Sequence, residues 1–467
     1  MKNTQKEITN SDADLTPYMD LIKQICVELR ECPTLVIMVM HVWRFIRQLG
    51  GMLLKQEIDR RARQPESWRK CPCCGYKLES KGFQKRQILT LFGLIKWERR
   101  IGRCSNRCHG SQEVPLDARL GLHPYQQVSE EIRWMSCMLS IFVPFETASQ
   151  LFQKIMGIKI SPNTLWRWTQ ELGKRIKRHL DAELQALKNG KFPELEVLTN
   201  ELENAPLIVS ADGVMVPMRP APGSAAGKTE WREVKVGILA RYVKRITRKG
   251  KEVFQLQQRR LVAVLGNIEI FSPMLRLEAL RQGILKAEKV LWICDGAKGF
   301  WGIFEEWRKL PTVSAILDFY HAAENLGKAA KAWLDGRTKA CREWFRDMRH
   351  KLRHGHEAAV VSELKELADS KKLPISAVEI IRNVYHYLSG HIEHIHYHSL
   401  KESLLPIGSG LVESACKWLI QQRFKGVGMR WSEEGFASLL YLRLAWVNGR
   451  YNDFFTILES EFEPVNR

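Results

Sequence analysis

Between Leu207 and Leu317 the chain carries five short apolar runs: Leu207-Ile-Val-Ser-Ala, Val234-Lys-Val-Gly-Ile-Leu, Leu261-Val-Ala-Val-Leu, Val290-Leu-Trp-Ile-Cys and Val313-Ser-Ala-Ile-Leu. Runs this short and this rich in β-branched residues read as strands buried on both faces. A helical pattern, Met274 to Lys289, separates the third from the fourth, so a mixed α/β layer is expected. Three of the runs lead straight into an acid: Asp212 and Asp295, each followed by glycine, and Asp318 in Asp318-Phe-Tyr-His321. One Asp-Gly alone is a common turn dipeptide. Two carboxylates at the ends of buried strands can face one crevice, where leaving them unpaired is costly and a bound Mg²⁺ is a common counter-charge. Asp318 and His321 stand three apart and share a face if a helix starts there. A last acid, Glu413 in Gly408-Ser-Gly-Leu-Val-Glu413-Ser, opens an amphipathic helix whose face carries Cys416, Lys417 and Ile420. Periodicity alone reads Glu413 as an i, i+4 partner of Lys417.

Cysteine spacing gives the second constraint. Five of the 11 cysteines crowd between Cys71 and Cys108. Cys71-Pro-Cys-Cys74-Gly has the form of a tight knuckle turn, and Cys104-Ser-Asn-Arg-Cys108 supplies a second pair after a hairpin pattern. Four thiolates from two knuckles satisfy a structural Zn²⁺ at Cys71, Cys74, Cys104 and Cys108, and the module reads as zinc-ribbon-like. The second pair is C-x-x-x-C, so His109 or Cys73 stays open as a substitute ligand.

The chain has 467 residues with 72 Lys and Arg against 52 Asp and Glu, a net charge of +20. A basic balance of this size points to a polyanionic partner, usually nucleic acid, although a solvated positive surface gives the same count. At 45% hydrophobic the chain can bury real cores. Its longest uncharged apolar stretches, Cys32–Trp43 and Trp134–Phe145, fall short of the roughly 20 residues a bilayer helix needs. The polar start shows no secretory core, so a cytoplasmic, nucleoid-associated protein without a membrane is expected.

The first segment, to about Gln64, reads as helices broken at Pro33 and at Gly50-Gly51. A helix-turn-helix pattern follows the cysteines. Pro144 to Met156 ends at Gly157, and Ser161 caps a second helix with Pro162 at its first position. That helix buries Leu165, Trp168 and Leu172 and turns Asn163, Thr164, Arg167 and Gln170 outward, with Lys174 and Arg175 beyond. Such a face suits groove reading with phosphate contact, or an ordinary solvated αα-corner. From Leu326 to about Ser403 the chain reads helical. Its cations, among them Lys328, Arg337 and Lys351, suggest a phosphate track, while Trp333 and Trp344 read as core.

Taken in order, the motifs Asp-Gly, Asp-Gly-Ala-Lys-Gly, Leu-Asp-Phe-Tyr-His-Ala and Gly-Ser-Gly-Leu-Val-Glu-Ser resemble the bacterial insertion-sequence DDE transposases of Kra type, relatives of the Mutator-like group with an RNase H-like catalytic core. The tail Arg423-Phe-Lys-Gly-Val-Gly-Met-Arg-Trp-Ser432 and the phrase Pro115-Leu-Asp-Ala-Arg-Leu-Gly-Leu122 are similar to that family as well. The resemblance covers roughly residues 65 to 445. It implies a metal-binding triad of Asp212, Asp295 and Glu413 holding two Mg²⁺ (or Mn²⁺) ions. Asp318 and His321 match the family's D-x-x-H signature, with Asp318 the alternative to Asp295 as second metal ligand. Lys417, Arg423, Lys425 and Arg430 would then hold DNA backbone near the site.

The expected fold class is α+β, mixed and multidomain. Its parts are an N-terminal helical region (1–64), a zinc-binding β module (65–115) and a helix-turn-helix domain (116–195). An RNase H-like α/β core (200–328), an all-α insertion (329–405) and C-terminal helices completing the core (406–467) follow. The implied function is binding of terminal inverted repeats in double-stranded DNA, strand cleavage and strand transfer, by a homodimer or higher oligomer. Two rivals remain: a sequence-specific DNA-binding protein derived from a transposase without catalysis, and an RNase H-like nuclease that cuts without joining.

Overall fold

A computed structural model of the chain describes residues 15–108, 112–220, 223 and 228–455. These divide into two compact units. One takes the chain up to Ser140 together with Phe145–Leu165; the other takes Ile141–Pro144 and Trp166–Phe454.

In the first unit, α1 (Thr16–Glu31) and α2 (Leu35–Arg63) are separated at Pro33, and the Thr34 hydroxyl caps α2 by accepting the Ile37 N–H at 3.4 Å. The expected break at Gly50-Gly51 does not occur. A Cβ on Gly50 would lie 2.6 Å from the Phe92 ring, so glycine there serves close packing on the next element and not a turn. The hairpin of β1 (Glu79–Thr90) and β2 (Gly93–Arg103) follows, antiparallel, with the cysteine knuckles at its open end. Ile58, Ile88, Ile95, Trp97 and Leu116 form the core between α2, the hairpin and the short α3 (Pro115–Arg119). Asp117 closes it from α3: both its oxygens accept the Arg99 Nε–H at 2.9 Å, with both side chains nearly buried. The phrase Pro115–Leu122 is thus accounted for by packing. Next come α4 (Glu130–Phe142) and α5 (Phe145–Met156), and Gly157 at φ 67° turns the chain towards α6 (Pro162–Lys188). Residues 116–195 therefore do not form one body: α6 gives Pro162–Leu165 to the first unit and the rest of its 27 residues to the second.

After the one-turn α7 (Asn200–Glu203), the second unit is built on a five-stranded sheet. Its strands are β3 (Leu207–Met218), β4 (Glu230–Ile246), β5 (Glu252–Leu265), β6 (Val290–Cys294) and β7 (Val313–Leu317), in the order β5-β4-β3-β6-β7. The first three run antiparallel as a meander; β6 and β7 lie parallel to β3. Crossovers through α8 (Ile268–Arg281) and α9 (Lys298–Trp307) make the parallel pairing possible. Contrary to the sequence reading, β3 does not stop at Asp212: β4 pairs with it as far as Met218, and Val214 and Val216 stay buried. What ends at Ala211 is its parallel pairing with β6.

Helices α10 (Phe319–Trp333), α11 (Lys339–Arg353), α12 (Glu357–Ala368), α13 (Ile375–Ser389) and α14 (Tyr397–Glu402) follow β7. Trp333 and Trp344 meet edge to face at 5.4 Å, consistent with a packing role. The chain returns through α15 (Gly410–Ala415), a π-helical turn (Cys416–Gln421), α16 (Gln422–Phe424) and α17 (Glu433–Val447). Among the described residues no helix is long and apolar enough to cross a membrane.

Candidate active site

Register brings the acids together. Ala211 of β3 pairs with Cys294 of β6, which pairs with Leu317 of β7. Asp212, Asp295 and Asp318 are each one residue further on, so three adjacent parallel strands deliver a carboxylate at the same level. Helix α15 adds Glu413, and ligand atoms of Glu413, Asp318 and His321 lie within 4.8 Å of one another.

These acids do not share one environment. Burial pushes the Asp212 carboxyl above its usual range, and the like charges of Asp295 and Glu413 push the same way, against the Gly213 N–H and the His321 imidazole. That N–H donates to Asp212 Oδ1 at 2.7 Å, and the Cys416 thiol lies 3.8 Å from Oδ2. A half-buried carboxylate raised by burial and by neighbouring acids is short of positive charge. Asp295 is half-buried; its Oδ1 accepts the Ala297 N–H at 3.0 Å. Its main-chain carbonyl accepts the Trp301 indole N–H at 2.7 Å, which anchors the loop at the β6 end.

Asp318 is fully buried and committed. Its Oδ1 accepts the His321 N–H at 2.8 Å as the N-cap of α10, and its Oδ2 accepts the Ser409 N–H in the loop before α15. Burial raises its pKa, but the His321 imidazole and these N–H groups outweigh it and hold the carboxyl at about 2. The imidazole Nδ1, 3.4 Å away, is pushed up to about 9 by that carboxylate, so His321 is a cation at neutral pH. Proximity groups Asp318, His321 and Glu413 as donors that could hold a metal ion. Asp212 and Asp295, at the same level on the adjacent strands, add two further carboxylates to this end of the sheet. Carboxylate oxygens of this kind suit Mg²⁺ or Mn²⁺.

The basic residues expected to meet DNA separate into two groups. Lys417, Lys425 and Arg430 are exposed, Lys425 over the exposed ring of Trp231 at 5.4 Å. Arg423 is only 2% exposed and sits 5.3 Å from the Trp431 ring, beside Phe424 and Phe436. It cannot reach a phosphate: with Phe424 it anchors the tail motif, whose Lys425, Val427 and Arg430 stay exposed. On α6, Asn163, Arg167 and Arg175 are exposed. Thr164 is half-buried with its hydroxyl 2.8 Å from that of Ser161, and Lys174 is paired with Glu434. Gln170, read as outward, is buried. In the helical stretch after β7, Lys328, Arg337 and Lys351 pair with Glu324, Asp335 and Asp347 at exposed or half-exposed positions, where such pairs are weak.

In the first unit the sulfurs of Cys71, Cys74, Cys104 and Cys108 also gather within 4.8 Å. Gly75, at φ 74°, and Arg107, at φ 54°, make the two knuckle turns, closed by Gly75 N–H to Cys71 O at 2.9 Å and Arg107 N–H to Cys104 O at 3.0 Å. The Cys74 N–H holds the Cys71 thiol down at about 6, whereas the sulfur of Cys74 and burial push Cys108 up to about 12. Four crowded thiols pulled in opposite directions fit a shared Zn²⁺, which takes all of them as thiolates. Cys73 is exposed and outside the cluster; His109 lies outside the described residues.

Sequence reasoning missed the residues that hold the acids: Trp301, the Ser409 N–H, Cys416 beside Asp212, and Tyr387. The only signal was glycine. A Cβ on Gly296 would fall 2.1 Å from the Tyr387 ring, and one on Gly408 2.6 Å from Tyr320.

No protein-family model matches the chain, and no curated protein is similar to it. Among solved structures it is similar to the Drosophila P element transposase strand transfer complex, with a TM-score of 0.24 and 10% identity over 72% of this chain and 82% of that one. A likeness at that level carries no argument about the function of this chain.

Proposed function

We propose that the chain is a DDE transposase with an RNase H-like catalytic core, which cuts the ends of its element and joins them to target DNA. The observation carrying this reading is the alignment of Asp212 and Asp295 one residue beyond the last parallel pair of β3 and β6, with Glu413 brought near them on α15. The sheet order supports it: a three-stranded meander whose first strand, β3, is followed on its other side by parallel β6 and then β7, with the last acid on a later helix. The motif order in the sequence supports it independently.

In this reading Asp212, Asp295 and Glu413 hold two Mg²⁺ or Mn²⁺ ions. When bound, such ions activate water or a 3′-OH as nucleophile and stabilise the departing oxygen. The protein's own residues do the rest. Asp318 fixes the Ser409 loop and hence the start of the Glu413 helix. Its partner His321 presents a cation to the same crevice, placed to attract a phosphate oxygen. Exposed Lys417, Lys425 and Arg430 hold the backbone of double-stranded DNA, and Asn163, Arg167 and Arg175 on α6 contact the terminal repeats. The four-cysteine cluster holds a structural Zn²⁺.

The test is Mg²⁺- or Mn²⁺-dependent cleavage and joining of labelled element-end DNA. It compares wild type with Asp212→Asn, Asp295→Asn, Glu413→Gln and Asp318→Asn. Loss of chemistry with retained binding in the first three, and joined products from wild type, are expected. An active Asp295→Asn with a dead Asp318→Asn would exchange the second ligand. Cutting without joining would make the protein a nuclease, and tight binding without cutting would make it a DNA-binding relative.

A further inference from the structure

The N-terminal half of α2 is apolar and uncovered. Leu35-Val-Ile-Met-Val-Met-His-Val-Trp43 contains one polar residue, and Leu35 and Val36 are more than 70% exposed. Globular proteins bury a helix that is apolar all round, so this one lacks a partner. With Ile46 and Leu53 exposed as well, apolar side chains left in water follow α2 for about five turns, far beyond the singly scattered apolar residues that need no explanation on a monomer's surface.

The spacing says what covers it. Leu35, Val39, Val42, Ile46, Leu49 and Leu53 follow one another at intervals of four, three, four, three and four. This 3.5-residue repeat runs on from the all-apolar stretch to Leu53 and fits the seam of a left-handed coiled coil. Val39, Ile46 and Leu53 occupy one seam position; Leu35, Val42 and Leu49 occupy the other. β-branched residues dominating the first and leucine the second is the pattern that favours two parallel strands. Along the seam Leu35, Val39, Val42, Ile46 and Leu53 are exposed and Leu49 is half-exposed. Residues 35–43 carry no Lys, Arg, Asp or Glu, so nothing there attracts a polyanion or repels an identical helix.

We propose that α2 is a dimerisation helix whose occupant is α2 of a second copy, the two α1–α2 hairpins forming a bundle without DNA. This assigns a role to a segment the proposed catalysis does not use, and it stands or falls separately from that proposal. The test is the mass of the full chain by light scattering and sedimentation velocity, at high salt after nuclease treatment so that nucleic acid cannot bridge copies. Wild type is expected at twice the 54.1 kDa chain mass at micromolar concentration. Val36→Glu together with Val39→Glu should be a monomer with unchanged circular dichroism. Ile375→Glu, at an apolar residue 87% exposed on α13, should remain a dimer. A monomeric wild type, or a double variant that stays dimeric, overturns the proposal. A monomer that co-sediments with phosphatidylcholine vesicles overturns it in favour of a lipid surface.

Discussion

Asp318 caps helix α10 through the His321 N–H at 2.8 Å and also faces the His321 imidazole at 3.4 Å. One carboxylate thus fixes the start of a helix and the charge of a side chain one turn later. Its pKa lies at about 2 and that of the imidazole at about 9. Because the imidazole is raised above 6.5, its contribution to stability is complete below pH 6.5 and lost as pH rises through 9. The carboxyl is depressed below 3.8, so its contribution is present above pH 3.8 and lost as pH falls towards 2. Metal-free protein should therefore draw the full contribution of this pair between about pH 4 and 6.5 and lose it progressively outside that window. Proton NMR of the His321 ring should titrate well above an ordinary histidine, and Asp318→Asn should return it to the ordinary range. A midpoint near 6.5 in wild type would sink the assignment of His321 as a cation.

Gly296 follows Asp295, and a Cβ there would sit 2.1 Å from the Tyr387 ring on α13. Gly296→Ala should displace the Asp295 loop and raise the Mn²⁺ concentration needed for half-saturation, read directly by electron paramagnetic resonance. Removing the ring should relieve the clash, so Gly296→Ala with Tyr387→Ala is expected to bind Mn²⁺ better than Gly296→Ala alone. Such non-additivity is the mark of direct contact. If the two effects simply add, α13 does not set the position of Asp295.

The strands were legible because each apolar run is short, β-branched and punctuated, and register then follows from the parallel pairing. That Asp212, Asp295 and Asp318 would come to one level was legible for the same reason: each directly follows a short buried apolar run, even though β3 itself continues past Asp212. What escaped the sequence was whatever depends on contacts distant along the chain. Lys and Arg patterning cannot tell exposed Lys425 from Arg423, which lies under Trp431, because both sit at the same helix end, two residues apart. Gly50 reads as a helix breaker until Phe92, more than forty residues on, is seen to need its space. Likewise Gln170 reads as outward by helical period, yet it is buried.

The Arg99–Asp117 pair gives a stability prediction independent of any chemistry. Both side chains are at most 10% exposed and the Arg99 Nε–H is shared between both Asp117 oxygens, so removing one partner strands a buried charge. Asp117→Ala should cost about 3–5 kcal/mol and lower the first thermal transition by several degrees. Arg99→Met with Asp117→Leu should recover much of the loss, since an apolar pair of similar volume leaves no orphaned charge. A double variant as damaged as the single one would mean that the hydrogen bonds from Arg99 to Gln84 matter more than the ion pair.

The cysteine cluster separates ligand from neighbour within one knuckle. Cys71, Cys74, Cys104 and Cys108 converge, whereas Cys73, between the first two, is exposed. Protein purified without chelator should carry about one zinc per chain by elemental analysis, and Cys73→Ser should keep it. Cys104→Ser should lose it, because Cys104 stands 3.3 Å from Cys74 and 3.8 Å from Cys108, and its removal leaves three sulfurs, too few for a closed site. The knuckles frame the open end of the β1–β2 hairpin, so metal loss should also expose its amides from Glu79 to Phe83 to hydrogen exchange, while Ile88 and Ile95, held by the apolar core, stay protected. Retention of zinc in Cys104→Ser, or its loss in Cys73→Ser, would place the metal on a different set of sulfurs.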